Sequence, residues 1–110
     1  MKCETVSADT IYALASAPGR AGIAVFRISG PSAGLAVRTI CGLSELPEPR
    51  RAIRCRMVDP APGDGRGALL DDGLVLWFPA PASYTGEDVA EFHVHGGRAT
   101  VDAIAAALSS

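Results

Sequence analysis

The chain has 110 residues, of which 48% are hydrophobic and 20% are charged, so it is long enough for one domain with a single core. Twelve acidic and ten basic side chains give a formal charge of −2, whereas proteins that bind nucleic acid mainly through phosphate contacts are distinctly basic. Lys2 is the only lysine, and no glycine-rich loop ends in Gly-Lys as a Walker-type phosphate loop does. These counts exclude a bulk nucleic-acid binder and, within this chain, a P-loop nucleotidase.

The cysteine pattern indicates the redox environment of the protein. Cys3, Cys41 and Cys55 are an odd number, and no two of them form a C-x-x-C pair. This argues against a disulfide framework or a structural zinc site, and it predicts reduced, buried thiols in a cytoplasmic protein. The apolar run at residues 11–17 is short and follows acidic residues, so we interpret it as a strand rather than a signal peptide.

The predicted elements follow the order β-β-α-β-β-β-α. β-Branched and aromatic residues between turn signals predict strands over residues 10–16, 22–29, 51–59, 73–78 and 89–95. A first helix opens at Pro31 and ends at Gly42, and a second covers residues 98–108. We therefore expect the α+β class, with a mixed five-stranded sheet and two or three helices.

Two segments, Ala24–Ile40 and Ala90–Ala106, match at a constant offset of 66 residues. Each runs from a strand through a glycine turn into a helix. Either the domain contains a duplicated strand–helix unit, or turns of this kind simply look alike.

The strand period of two sorts the residues of those two strands onto opposite faces. One face carries apolar side chains that the helices should cover: Phe26, Ile28, Phe92 and Val94. The other face carries a cation, a carboxylate and two imidazoles: Arg27, Glu91, His93 and His95. If the strands are neighbours, this polar group is the candidate site.

Arg27 and Glu91 allow a functional and a purely structural interpretation. Each lies among apolar neighbours and needs a partner, because an unpaired buried charge is costly. Arg27 could bind a ligand carboxylate or carbonyl. Glu91 could accept two parallel hydrogen bonds from an amidine-like N–H pair, or act as a general base. Alternatively, the two side chains form an internal ion pair and bind no ligand.

His93 and His95 have a spacing that some strand-borne metal sites use, with Glu91 as the only available third ligand. A small metal-dependent enzyme is therefore an alternative function, although polar residues beside a Gly-Gly helix start are the simpler interpretation. We assign no metal ligand. No nucleophile-elbow pattern surrounds a serine, cysteine or threonine, so we assign no catalytic residue either.

Several short strings occur in a specific order along the chain. They are D-T-I at residues 9–11, P-G-R-A-G at 18–22, R-I-S-G at 27–30, L-D at 70–71, W-F-P at 77–79, T-G-E-D at 85–88 and H-G-G at 95–97. Together they resemble the N-terminal domain of the MnmE (TrmE) family of tRNA-modification GTPases. The similarity covers essentially the whole chain and is weakest across residues 41–67.

The resemblance implies a fold similar to folate-binding domains of the glycine-cleavage aminomethyltransferase type. It implies a domain that binds 5-formyltetrahydrofolate or another tetrahydrofolate derivative and forms a homodimer. It also implies that the full-length protein is cytoplasmic, uses GTP, magnesium and potassium, and acts with a flavoprotein partner on the wobble uridine of tRNA, with folate as the proposed one-carbon donor. These properties are expectations for the chain.

Two folate contacts of the family map onto this sequence. The arginine of R-I-S-G is Arg27, and the glutamate that follows T-G-E-D-V is Glu91. The chain ends before a lysine-containing stretch that supplies another contact in the family. Residues 1–110 are therefore expected to be an N-terminal folate-binding and dimerisation domain without the helical and GTPase domains, with no GTP hydrolysis and weakened folate affinity. A dimerisation module without a ligand is the alternative.

Overall fold

The computed structural model describes residues 3–7, 10–15, 22–60, 67–83 and 85–109 of the chain. These residues form six strands and two helices: β1 (Cys3–Ser7), β2 (Thr10–Leu14), β3 (Ile23–Ser29), α1 (Ala33–Cys41), β4 (Ile53–Val58), β5 (Leu69–Phe78), β6 (Val89–His95) and α2 (Arg98–Ser109). Neither helix is long and apolar enough to cross a membrane.

The strands form one sheet with the order β1-β2-β3-β6-β5-β4, which confirms the α+β class. The observed sheet differs from the predicted one in two details. Its five pairings between described strands are all antiparallel rather than mixed. It also has one strand more than predicted, because β1 pairs with β2 although its sequence, CETVS, lacks apolar alternation.

Most predicted elements lie where the patterns place them. β6 has the predicted bounds, and α1 ends at Cys41, directly before Gly42, whose φ of 65° is the left-handed conformation expected of a helix-ending glycine. β5 begins four residues earlier than predicted, at Leu69, because Asp71 and Asp72 continue its pairing with β4. Most of the glycine- and proline-rich segments at residues 18–22 and 59–67, which separate predicted strands, lie outside the described residues.

The two halves of the chain have the same architecture. Each is a run of three antiparallel strands followed by a helix, β1-β2-β3-α1 and then β4-β5-β6-α2, and the two inner strands β3 and β6 are neighbours. Phe26 lies opposite Phe92, the residue that matches it at the 66-residue offset. Ala24 pairs with Val94, which matches Ile28 at the offset, and Ile28 pairs with Ala90, which matches Ala24. This arrangement supports a duplication and extends the repeated unit to three strands and a helix.

Both helices pack on one face of the sheet, α1 against β4 and β6, and α2 against β1, β5 and β6. The apolar side chains predicted to face the helices are buried, with Phe26 and Phe92 at the centre of the core. Tyr12 is buried on β2, and its hydroxyl donates to the carbonyl oxygen of Ala105 in α2. Burial of this face fixes the opposite face, which carries the predicted polar residues.

Thr10 explains part of the D-T-I string. Its side chain is fully buried, and its hydroxyl oxygen accepts a hydrogen bond from the backbone N–H of Ser32 at 2.8 Å. Ser32 is the N-cap residue of α1, but its side chain makes no capping hydrogen bond. A residue of β2 therefore satisfies a backbone donor at the start of α1, which ties the helix to the sheet.

We expect Gly73→Ala to destabilise the fold by about 1–3 kcal/mol. A Cβ atom at Gly73 would overlap the backbone carbonyl oxygen of His93 in the neighbouring strand, so the pairing of β5 with β6 would have to shift. Urea unfolding measures the change.

Gly22→Ala is the matched control, because a Cβ atom there meets nothing within 4 Å. Its free energy of unfolding should change by less than about 0.5 kcal/mol. Equal losses for the two variants would contradict the proposed overlap.

Candidate ligand-binding site

The pairing of β3 with β6 places Arg27 directly opposite Glu91 on the face of the sheet away from α1 and α2. We call this surface the helix-free face; Arg27, Glu91 and His93 lie at its centre. Nε and Nη2 of Arg27 donate hydrogen bonds to Oε2 of Glu91 at 2.9 and 2.7 Å. The internal ion pair considered from the sequence is therefore present.

Glu91 is the more buried residue of this ion pair. Its side chain is 9% exposed, against 37% for Arg27. His93, two residues along the same strand, places Nε2 3.1 Å from Oε1 of Glu91. Both carboxylate oxygens are thus held, one by the guanidinium and one by the imidazole, which orients the carboxylate in the plane of these contacts.

Two opposing effects act on the pKa of Glu91. Burial opposes ionisation, but the hydrogen bonds from Arg27 and His93 outweigh it and hold the pKa of Glu91 below its usual value. Glu91 is therefore ionised at neutral pH, and it offers a fixed negative charge beside a fixed positive one.

His95 does not join this group, contrary to the simple strand period. Its Nδ1 lies 2.8 Å from Oδ1 of Asp71, and its backbone N–H donates to Oδ2 of Asp71 at 2.8 Å. Burial raises the pKa of Asp71, but these bonds to His95 reverse the effect and leave it lowered. Among the described residues, no group of three or more His, Cys, Asp or Glu side chains is arranged to hold a metal ion.

The T-G-E-D string lies at the end of β3. The hydroxyl groups of Ser29 and Thr85 are 2.8 Å apart, and Ser29 also donates to Oε2 of Glu87 at 3.4 Å. Oδ1 of Asp88 accepts from the backbone N–H of Ala80, and the Asp88 carbonyl accepts from Gly30. These contacts hold the loop after β5 against the strand that carries Arg27.

Large apolar side chains surround the polar centre of the helix-free face. Ile11, Ile23 and Leu74 share that face by register, opposite Ser29, His95 and His93 respectively. Ile23 is 61% exposed and Leu74 is 41% exposed. The face therefore combines a few fixed charged groups with apolar side chains, as small-molecule sites do.

The arrangement suits a planar ligand with N–H donors next to a carbonyl. A fixed carboxylate accepts two parallel N–H groups, and a neighbouring guanidinium donates to an oxygen. Arg27 and Glu91, the two site residues predicted from the sequence, are those that the fold brings into contact.

The family of the chain follows from its match to known sequences. The family model described as the GTP-binding protein TrmE N-terminus matches residues 10–110. The chain belongs to this family.

Relatives of the TrmE N-terminal family agree with this assignment. A protein named tRNA modification GTPase MnmE from Paramagnetospirillum magneticum is 62% identical over 100 residues, which cover 91% of this chain and 21% of the relative. A protein of the same name from Phenylobacterium zucineum is 56% identical over 92% of the chain and 21% of its own length. The mitochondrial 5-taurinomethyluridine-tRNA synthase subunit GTPB3 of Mus musculus is 50% identical over 96% of the chain and 20% of its own length. The chain thus spans about a fifth of these relatives.

Sequence reasoning missed Asp71 as a partner of His95. The signal available was a pair of carboxylates, Asp71 and Asp72, beside an apolar run. It also gave no role to Ser29, Thr85 and Glu87, whose contacts join positions 56 or more residues apart. Only the short strings on which the family resemblance was based included these residues.

We expect Glu91→Gln to lower the free energy of unfolding by about 1–2 kcal/mol at pH 7. This is below the range for a fully buried pair, because Arg27 is 37% exposed and solvent screens it. The folded pKa of Glu91 is lowered, so its contribution is fully present above the unfolded value of about 4.3 and is lost as the pH falls through the folded pKa. Urea unfolding from pH 7 to pH 3 should therefore show the two proteins converging.

Glu48→Gln is the matched control, because Glu48 pairs with Arg51 where both side chains are about two-thirds exposed. This change should alter stability by less than about 0.5 kcal/mol at each pH. A gap between wild type and Glu91→Gln that stays constant down to pH 3 would contradict the assigned ionisation.

Proposed function

We propose that this chain is the folate-binding and dimerisation domain of a GTPase that modifies the wobble uridine of tRNA. In this proposal Arg27 and Glu91 bind the pterin ring of 5-formyltetrahydrofolate or a related tetrahydrofolate. The observation that carries it is the buried carboxylate of Glu91 held beside the Arg27 guanidinium on the helix-free face. A fold similar to the folate-binding domains of the aminomethyltransferase type belongs to the same proposal.

The chemistry of the pterin ring fits the pair. One edge of the ring carries a ring N–H and an amino group side by side, next to a carbonyl oxygen. Glu91 accepts hydrogen bonds from the two nitrogen donors, and Arg27 donates to the carbonyl or to the formyl oxygen. The recognition is by hydrogen bonding and needs no covalent step.

Glu91 has limited capacity for a further ligand. An ionised carboxylate offers about four acceptor positions, and contacts with Arg27 and His93 use three of them. A ligand with two N–H donors therefore displaces one partner. His93 is the partner that moves, because a single 3.1 Å contact joins it to Glu91 whereas Arg27 makes two shorter ones.

The reaction of the whole protein involves more than this chain. Relatives are named as tRNA modification GTPases, and the chain spans about a fifth of their length. We propose that the remaining domains bind GTP with magnesium and potassium, that a flavoprotein partner completes the complex, and that this chain supplies the folate and the dimer contact. The chain alone is then inactive.

A second copy of the chain is proposed to cover the apolar border of the helix-free face. Ile11, Ile23 and Leu74 are exposed there, whereas the other face is covered by the helices. A homodimer would bury these side chains and bring the charged centre next to the interface.

A dimerisation module without a ligand is the second candidate. The observation in its favour is that Arg27 and Glu91 already satisfy one another in two hydrogen bonds. This function keeps the dimer and assigns the ion pair a structural role.

Calorimetric titration of the chain with 5-formyltetrahydrofolate should show binding that Glu91→Gln weakens about 10- to 100-fold. The loss of a charge-assisted hydrogen bond costs about 1.5–3 kcal/mol, which corresponds to this change in Kd. Asp72→Asn is the control, since it breaks a 2.8 Å arginine–carboxylate pair whose arginine, Arg54, is exposed on the edge strand β4. Equal affinity for wild type and Glu91→Gln would overturn the role of Glu91, and no binding by wild type would favour the module without a ligand.

The proposed role in tRNA modification can be tested separately with the same variants. The chain can replace the N-terminal domain of the Paramagnetospirillum magneticum relative, to which it is 62% identical. The wild-type and Asp72→Asn chimaeras should support modification of the wobble uridine, and the Glu91→Gln chimaera should support less. Full modification in the Glu91→Gln chimaera would contradict the proposed folate role.

Analytical ultracentrifugation should show that the chain is a dimer that Ile23→Glu converts to a monomer. A carboxylate at Ile23 would be desolvated in the interface on the helix-free face. Leu35→Glu is the matched control, because Leu35 is similarly exposed but lies on α1, on the other side of the sheet.

Two results would count against the dimer proposal. A monomeric wild type at high concentration would reject the dimer itself. A dimer in both variants would reject the helix-free face as its interface.

A further inference from the structure

Cys41 and Cys55 form a pair that the candidate site does not use. Cys41 is the last residue of α1, and Cys55 lies in β4. Their sulfur atoms are 2.7 Å apart, and both cysteines are free thiols. This separation is longer than a disulfide bond of about 2.05 Å but shorter than an ordinary contact between two sulfur atoms.

The two thiols contact each other in apolar surroundings. Cys41 is 9% exposed and Cys55 is 8% exposed, and both belong to the apolar core between α1 and the sheet. β4 is an edge strand, so small oxidants can reach the pair through local opening of the sheet edge. Burial excludes larger reagents and favours reaction of the two sulfur atoms with each other.

The two sulfur atoms differ in acidity. The contact with Cys41 lowers the pKa of Cys55 and outweighs the opposing effect of burial. The same contact, together with burial, raises the pKa of Cys41. Cys55 is therefore the thiol that ionises first, and the thiolate is the reactive form of cysteine.

We propose that Cys41 and Cys55 are a reversible dithiol–disulfide pair that hydrogen peroxide closes. The Cys55 thiolate attacks the peroxide, which breaks the O–O bond, releases hydroxide and leaves a sulfenic acid on Cys55. The sulfur of Cys41 then attacks the Cys55 sulfur, and the hydroxyl leaves as water. In sum, two thiols and one peroxide give one disulfide and two waters, and a small dithiol reverses the oxidation.

The disulfide would join the end of α1 to β4 and close a loop over residues 42–54. Such a link restricts the unfolded chain and holds the helix against the edge of the sheet. The oxidised protein should therefore resist unfolding more than the reduced one. This property is independent of folate binding, because Arg27 and Glu91 are not among the residues involved.

The test uses Cys3→Ser protein, which retains only the pair in question. The folded protein is treated with hydrogen peroxide, trapped with N-ethylmaleimide in denaturant, and examined by mass spectrometry. We expect an intact mass lower by two hydrogens, no trapped thiol, and the tryptic peptide 39–50 joined to the peptide 55–56. Dithiothreitol should restore both thiols, and oxidation should raise the unfolding temperature by roughly 5 °C or more.

Cys3→Ser/Cys41→Ser and Cys3→Ser/Cys55→Ser proteins are the controls, and neither should lose two hydrogens or gain stability. The mapping in Cys3→Ser protein does not depend on the folding of these controls. Two intact thiols after peroxide treatment would overturn the proposal. So would sulfinic acid at one cysteine with the other still a thiol, or a disulfide that forms only in denaturant.

Discussion

The antiparallel pairing of β3 with β6 fixes both the core and the candidate site. Its register places Phe26 opposite Phe92 on the helix side and Arg27 opposite Glu91 on the other side. Because side chains alternate along a strand, a slip of one residue would carry charged groups into the core and the aromatic rings out of it. Burial of the two aromatic rings therefore holds the ion pair in place, and neither feature can move without the other.

The site arises where the two similar halves of the chain differ. At the 66-residue offset, Arg27 matches His93, and Glu91 matches Val25. The same register pairs Arg27 with Glu91 and Val25 with His93, so two related positions carry different chemistry. The first pair is an ion pair. The second contains His93, whose imidazole contacts Glu91 on the same strand. An arrangement with local symmetry thus produces a single asymmetric candidate site.

The helices also divide the chemistry between the two sides of the sheet. α1 and α2 cover the apolar side, which encloses the Cys41–Cys55 pair. The helix-free side keeps Glu91 ionised through Arg27 and His93, beside exposed aliphatic residues. The TrmE N-terminal family includes proteins of which this chain covers about a fifth. The side covered by the helices thus holds the core, and the helix-free side leaves charged and aliphatic side chains exposed.

The sequence by itself determined the strands from β2 to β6 within a few residues, the two helices, and the polar face with Arg27 and Glu91. These features follow from local periodicity and from glycine and proline signals, which each segment carries alone. Tertiary structure decided that β1 joins the sheet, that β3 lies beside β6, that His95 turns to Asp71, and that Cys41 meets Cys55. The physical reason is that such contacts depend on which buried faces pack together, and periodicity within one segment holds no information about its partner.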